Sequence, residues 1–157
     1  MMAALWSDAL DDLSSARAHF GEAIAMFEAS DFTKSGPDYL HRMAFQHAMQ
    51  AGYTSFESAL KRIFALLGEP LPVGADWRYA LLRRASAPLE GLRPAILGAE
   101  LSRAATELMR FRHVAMHAYD RFDVDKAGLA VRDAKAFLAR MDEDLATFRS
   151  RIDPAGS

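Results

Sequence analysis

Apolar residues recur along this chain at three- and four-residue steps, and nowhere do they alternate with polar ones over the length of a strand. The first stripe is Leu13, Ala16, Phe20, Ile24 and Phe27, which predicts a helix from about Asp8 to Ala29. Ser7 suits its N-cap, with Asp8, Asp11 and Asp12 near the positive end of the helix dipole. The segment SDFTKSGPD, with Gly36 and Pro37, breaks the pattern. A longer helix is expected from about Asp38 to Leu67, with Phe45, Met49, Gly52, Tyr53, Phe56, Leu60, Ile63, Phe64 and Leu67 spread widely around its axis. Such a helix should meet neighbours on two sides, within the subunit or across a dimer. Gly52 in mid-helix costs about 1 kcal/mol relative to Ala, which points to a close helix–helix approach there.

GEPLPVGAD reads as a loop, and a short helix from about Asp76 to Ala85 follows, with Trp77, Leu81 and Leu82 as its buried side. Pro88, Gly91 and Pro94 punctuate the chain again. Pro94 suits the first turn of a third long helix, expected from about Pro94 to Tyr119. The fourth, from about Asp125 to Ile152, carries Ala127, Val131, Ala134, Leu138, Met141, Leu145, Phe148 and Ile152 in alternating steps of four and three, an a/d seam that Pro154 closes. Four main helices with short connections imply an all-α, up-and-down four-helix bundle with one additional short helix. The expected organisation is a single domain over residues 1–157, with its core between about residues 8 and 152.

Composition agrees with this picture and removes some function classes. The chain has 157 residues, 51% of them hydrophobic and 25% charged, an ordinary globular mix with enough length to bury a core. No apolar window approaches a membrane span. The start, MMAALWSDALDDL, has neither the basic opening nor the unbroken apolar run of a secretory signal, so the expected location is the cytoplasm. Without cysteines there are no disulfides and no thiolate metal ligands. The net charge of −2 argues against indiscriminate nucleic-acid binding, yet it hides an asymmetry. From Arg78 to Arg121 there are eight arginines, no lysines and four acids, so this stretch is +4 and the remainder −6. An arginine-rich segment can focus an anion, or it can be a solvated helix surface.

Candidate chemistry gathers at the end of the third long helix, in LMRFRHVAMHAYDRFD, with Arg110, Arg112, His113, His117, Tyr119 and Asp120. At about 100° per residue, His113 and His117 share nearly one face, whereas Arg112 and His117 lie roughly 140° apart and flank a patch. Aiming both at one atom calls for a long arginine reach or a second subunit. Each residue also has a plain structural role available. A histidine near a helix C-terminus can cap carbonyls, Tyr119 can be a core aromatic with a polar tip, and Arg112 can pair with Asp120 or Glu107. His113 and His117 beside Asp120 could also hold a divalent transition metal.

The spacing Arg112-x4-His117-x-Tyr119, in the context FRHVAMHAYDRFD, resembles the signature of the HepT-like branch of the HEPN superfamily. The long second helix, the GEPLP loop, the intervening short helix and the final amphipathic helix agree with it, and the resemblance covers roughly residues 38 to 152. One departure is His113, where that family often has Asn; the substitute is polar and can still donate or accept. The resemblance implies a HEPN-like bundle acting as a toxin, a metal-independent endoribonuclease without cofactor, whose Arg-x4-His pairs from two subunits converge at a homodimer cleft on RNA. Arg112 and His117 would be catalytic, with His113 and Asp120 supporting. An imidazole with an unperturbed pKa near 6.5 can take a proton from a ribose 2′-hydroxyl or give one to the leaving oxygen. The guanidinium can stabilise charge growing on the phosphoryl oxygens. The implied partner is an MNT-type nucleotidyltransferase antitoxin, and Tyr119 is similar to the tyrosine on which such antitoxins place AMP. Two other readings are a catalytically silent helical module binding a nucleotide or a partner protein, and a purely structural or metal-binding bundle.

Overall fold

The computed structural model describes residues 2–29, 32, 38–117 and 122–155. Among these residues there are five helices and no strand: α1 (Met2–Glu28), α2 (Tyr39–Leu66), α3 (Trp77–Ser86), α4 (Ala99–His117) and α5 (Val124–Ile152). A single antiparallel bridge, Leu89 with Arg93, closes the turn between α3 and α4. No helix among the described residues is long and apolar enough to cross a membrane.

The long helices run up, down, up and down. Ser15 meets Ser55 while Arg62 reaches back to Asp8 and Asp12, so α1 and α2 are antiparallel. Phe20 contacts Phe137 and Trp6 lies under Arg149, which sets α5 antiparallel to α1. Gly98, just before α4, bonds Asp144, and Arg103 bonds Asp133, so α4 runs against α5. Helices α2 and α4 touch as well, closing a ring of four with α3 laid against α4. The expected two-sided burial of the second helix is therefore met within one chain, by α1 and α4.

At the centre stand Phe20, Phe56 and Phe137, one from each of α1, α2 and α5, all fully buried. Phe137 makes edge contacts with Phe20 at 5.2 Å and with Phe56 at 4.8 Å between ring centroids. The close approach expected at Gly52 is present: a Cβ there would lie 2.9 Å from the Phe20 ring. The a/d seam of α5 is buried at Ala127, Val131, Ala134, Met141, Leu145 and Phe148, and it widens to take in Ala130 and Phe137. Leu138 and Ile152 are partly buried at its edge.

Helix boundaries depart from expectation in two places, the starts of α1 and α4. Helix α1 begins at Met2, so Ser7 is inside the helix and does not cap it. Trp6 and Ala9 extend the buried stripe, and Asp8 and Asp12 pair with Arg62 near the end of α2. At the other end of the bundle, α5 is capped by Asp123, whose carboxylate accepts from the amides of Asp125 and Lys126. Helix α4 starts at Ala99, not at Pro94. Residues 94–98 are bound to the end of α3 instead: the amides of Ile96 and Leu97 both donate to the Ala85 carbonyl, at 2.8 and 3.1 Å.

Arg93 holds this junction. Its buried guanidinium donates from Nε and Nη2 to the two oxygens of Glu69, and from Nη1 and Nη2 to the carbonyls of Ala87, Pro94 and Arg84. A buried charge is tolerated here because every lobe of the guanidinium has an acceptor. The loop after α2, the end of α3 and the approach to α4 are thereby tied to one side chain.

The contrast between two helical glycines tests this arrangement. Gly52→Val should destabilise the protein by about 1–3 kcal/mol through overpacking against Phe20. Gly21→Ala, with nothing within 4 Å of the new Cβ, should stabilise it by about 1 kcal/mol through helix propensity. Urea-denaturation midpoints of the two variants should move in opposite directions.

Candidate active site

The core stripe of α4 is Leu101, Ala104, Ala105 and Leu108, all buried. Helix geometry puts position 112 within about 20° of position 105 and about 40° of position 108. Arg112 thus stands where the next core residue would be, and its side chain is carried toward α2. It is half-buried, and its Nε donates to Thr54 Oγ1 at 3.3 Å. Glu107, one candidate partner for Arg112, pairs instead with Arg110 at 2.7 Å.

Facing Arg112 on α2 are two buried polar groups, Tyr53 and Glu57. Burial pushes the Glu57 carboxyl above the usual carboxylate range, against the pull of Arg78, Lys61 and Arg112. Tyr53 is likewise held above the ordinary phenol value, by burial first and by the Glu57 charge second. Arg78, from α3, reaches back with its Nε to Glu57 Oε2 at 3.1 Å, and Lys61 Nζ lies 4.0 Å from the other oxygen. Both cations also rest on the Trp77 ring, each 4.4 Å from its centroid. One carboxylate therefore gathers positive groups from three helices.

Between the first turn of α3 and residues 109–114 of α4 lies an open depression of about 560 Å³. Arg78, Arg110, Arg112 and His113 line it, with Tyr79 and the single acid Asp76 at the α3 side. Arg78 and Arg110 are each paired with a carboxylate outside the lining, Glu57 and Glu107, whereas Arg112 bonds a neutral hydroxyl, so the depression can take an anion at Arg112. Part of the arginine-rich stretch is thus drawn to one depression.

Of the residues expected to do chemistry, Arg110, Arg112 and His113 are brought together here. His117 is the last residue of α4, and its side chain, with Tyr119 and Asp120, lies outside the described residues. The possible metal set of His113, His117 and Asp120 falls partly on those positions. Among the described residues, no three histidines or acids are grouped so as to hold a metal ion. Arg78, Tyr79, Thr54 and Glu57 were not singled out from the sequence. Glu57 had a readable signal: it sits in the apolar stripe of Tyr53, Phe56, Leu60 and Phe64, where a charge needs a partner.

A model of the HepT-like protein family matches residues 44–152, well over half of the chain. The chain belongs to the HepT-like family. The match runs from the first turns of α2 to the end of α5, so it includes both walls of the depression and the whole of α4. Helix α1, which supplies Phe20 to the core, lies outside it. No curated protein and no solved structure matches the chain.

The Glu57 carboxyl has a pH signature. Because its pKa is raised on folding, its favourable contribution is complete below the ordinary value of 4.5 and is lost as pH rises through the folded value. Glu57→Gln keeps an acceptor for Arg78 and removes the titration. Stability curves of the two proteins should therefore diverge in favour of the variant between pH 4 and neutrality, measured by urea unfolding at a series of pH values. A constant difference across that range would contradict the assignment.

Proposed function

We propose that this HepT-like chain is the single-domain toxin of a toxin–antitoxin pair and a metal-independent endoribonuclease. The observation that carries this reading is Arg112, a charged residue at a core-stripe position, half-buried against α2 and opening on an arginine-lined depression. A structural arginine on a helix surface has no need of that position. A phosphodiester ligand explains both the charge and the opening.

In this reading Arg112 hydrogen-bonds the non-bridging phosphoryl oxygens and stabilises the extra charge they gain in the transition state. His117 acts as general base on the ribose 2′-hydroxyl. The 2′-oxygen bonds to phosphorus, the bond from phosphorus to the 5′-oxygen breaks, and a protonated imidazole supplies the proton that the leaving oxygen takes. The products are a 2′,3′-cyclic phosphate and a 5′-hydroxyl. One imidazole cannot be base and acid in the same step, and residues 112 and 117 lie about 140° apart on a helix. A homodimer that faces two such helix ends across a cleft supplies both, with His113 and Asp120 in support.

The proposed partner is an MNT-type nucleotidyltransferase antitoxin that transfers AMP to Tyr119. The adenylate adds negative charge and bulk two residues from His117, where it repels an RNA phosphate.

Overexpression should arrest growth, and Arg112→Ala or His117→Ala should each relieve the arrest while leaving the circular-dichroism melt unchanged. In vitro, RNA cleavage in the presence of chelator should persist for the wild type and fall by about 10²–10³-fold in Arg112→Ala. Full toxicity of both variants would remove the nuclease reading. Co-expression with the cognate transferase should raise the intact mass by one adenylate, and Tyr119→Phe should abolish that shift.

A further inference from the structure

The depression beside Arg112 is wider than one phosphate requires. We propose that it is a subsite for an unpaired nucleotide next to the scissile phosphate, with Tyr79 as the platform for its base and Arg78 as a ligand for its phosphate. The proposal rests on the ribonuclease reading for the identity of the strand.

Four observations carry it. The volume of about 560 Å³ lies within the roughly 300–1,000 Å³ of small-ligand sites, enough for a nucleotide with part of its backbone. Tyr79 is a large aromatic left 49% exposed on the wall of that depression, where a base could lie against its ring. Arg78 is ordered before any ligand arrives, because Glu57 accepts from its Nε and its guanidinium rests on Trp77. The bond to Glu57 uses only one of the five guanidinium donors and keeps both Nη groups for phosphoryl oxygens. Finally, Arg112 lines the same depression, so a phosphate held by Arg78 would neighbour the one placed for cleavage.

The chemistry selects the substrate class. An aromatic platform can receive a base only when that base has left its stack, and bases in an A-form duplex keep their faces covered. Single-stranded RNA, a loop or a free end can present one. Because every base has a π-face, the subsite should tolerate any sequence.

The test uses the full chain carrying His117→Ala, so that RNA is bound without being cut. Binding of a labelled single-stranded RNA oligonucleotide and of the matching duplex is followed by fluorescence anisotropy. Tyr79→Ala should weaken binding of the single strand by roughly 5- to 150-fold, the loss of one stacked base, while Tyr79→Trp should keep it. Arg78→Ala in a Glu57→Gln background, which leaves no buried carboxylate unpaired, should reduce the slope of log affinity against log salt by about 0.7. The duplex should bind more weakly than the single strand. Equal binding by Tyr79→Ala and its parent, or tighter binding of duplex, overturns the subsite. The two readings fail separately: cleavage that survives Tyr79→Ala with unchanged kcat/KM sinks the subsite alone. Tyr79-dependent single-strand binding by a protein that cuts no RNA sinks the nuclease alone.

Discussion

Three phenylalanine rings, Phe20, Phe56 and Phe137, meet at the middle of the bundle, and that meeting is possible because Gly52 has no side chain. The Phe20 ring lies 2.9 Å from where a Cβ at position 52 would be, so α1 and α2 come close enough for α5 to set Phe137 against both. A glycine in mid-helix weakens the helix itself. The burial of three aromatic side chains outweighs that cost, since each such ring removes about 150–250 Å² from water. Once α1, α2 and α5 are locked in this way, the slot left for α4 is determined on two sides. Its own stripe of Leu101, Ala105 and Leu108 then decides how it is rotated in the slot.

That rotation is what turns a packing problem into a site. The buried stripe continues in register to position 112, where an arginine stands in place of a leucine. The guanidinium must find polar company on α2, and Thr54 provides it while Glu57 and Tyr53 lie within the reach of its charge. On the other flank, Arg93 draws the start of α4 toward the end of α3 through Glu69 and three backbone carbonyls. This junction keeps α3 beside α4, so that Arg78 and Tyr79 stand across the depression from Arg112 and His113.

Glu57 illustrates why a polar group is kept inside at some cost. Its charge is disfavoured by burial, and the cations around it restore only part of what burial removes. In return it orients a guanidinium that an exposed arginine would leave in motion, and it does so from a rigid helix. Trp77 adds a flat surface on which Lys61 and Arg78 both rest. The same residues that stabilise the α2–α3 contact therefore set the electrostatics of the depression, and neither role can be changed without the other.

Much of this protein can be read along the chain. Helix periodicity identified the elements and the four-helix topology, because burial on one face imposes a three- and four-residue repeat that needs no partner to be seen. Gly52 announced a close approach for a similar local reason, and the Arg112-x4-His117-x-Tyr119 spacing pointed to the family that the match over residues 44–152 establishes. Helix ends were less legible. Ser7 and Pro94 carry good local signals for a start, yet the burial of Trp6 and the bonds from Ile96 and Leu97 to Ala85 overrode them. Glu57, in an apolar stripe, announced that it needs a partner, but which residues gather around Arg112 was not legible. Thr54, Glu57, Arg78 and Tyr79 are separated from it by tens of residues, and only the closing of the helix ring brings them to one place. Spacing along a helix records which residues share a face; which face meets which is decided by the shapes of the side chains between them.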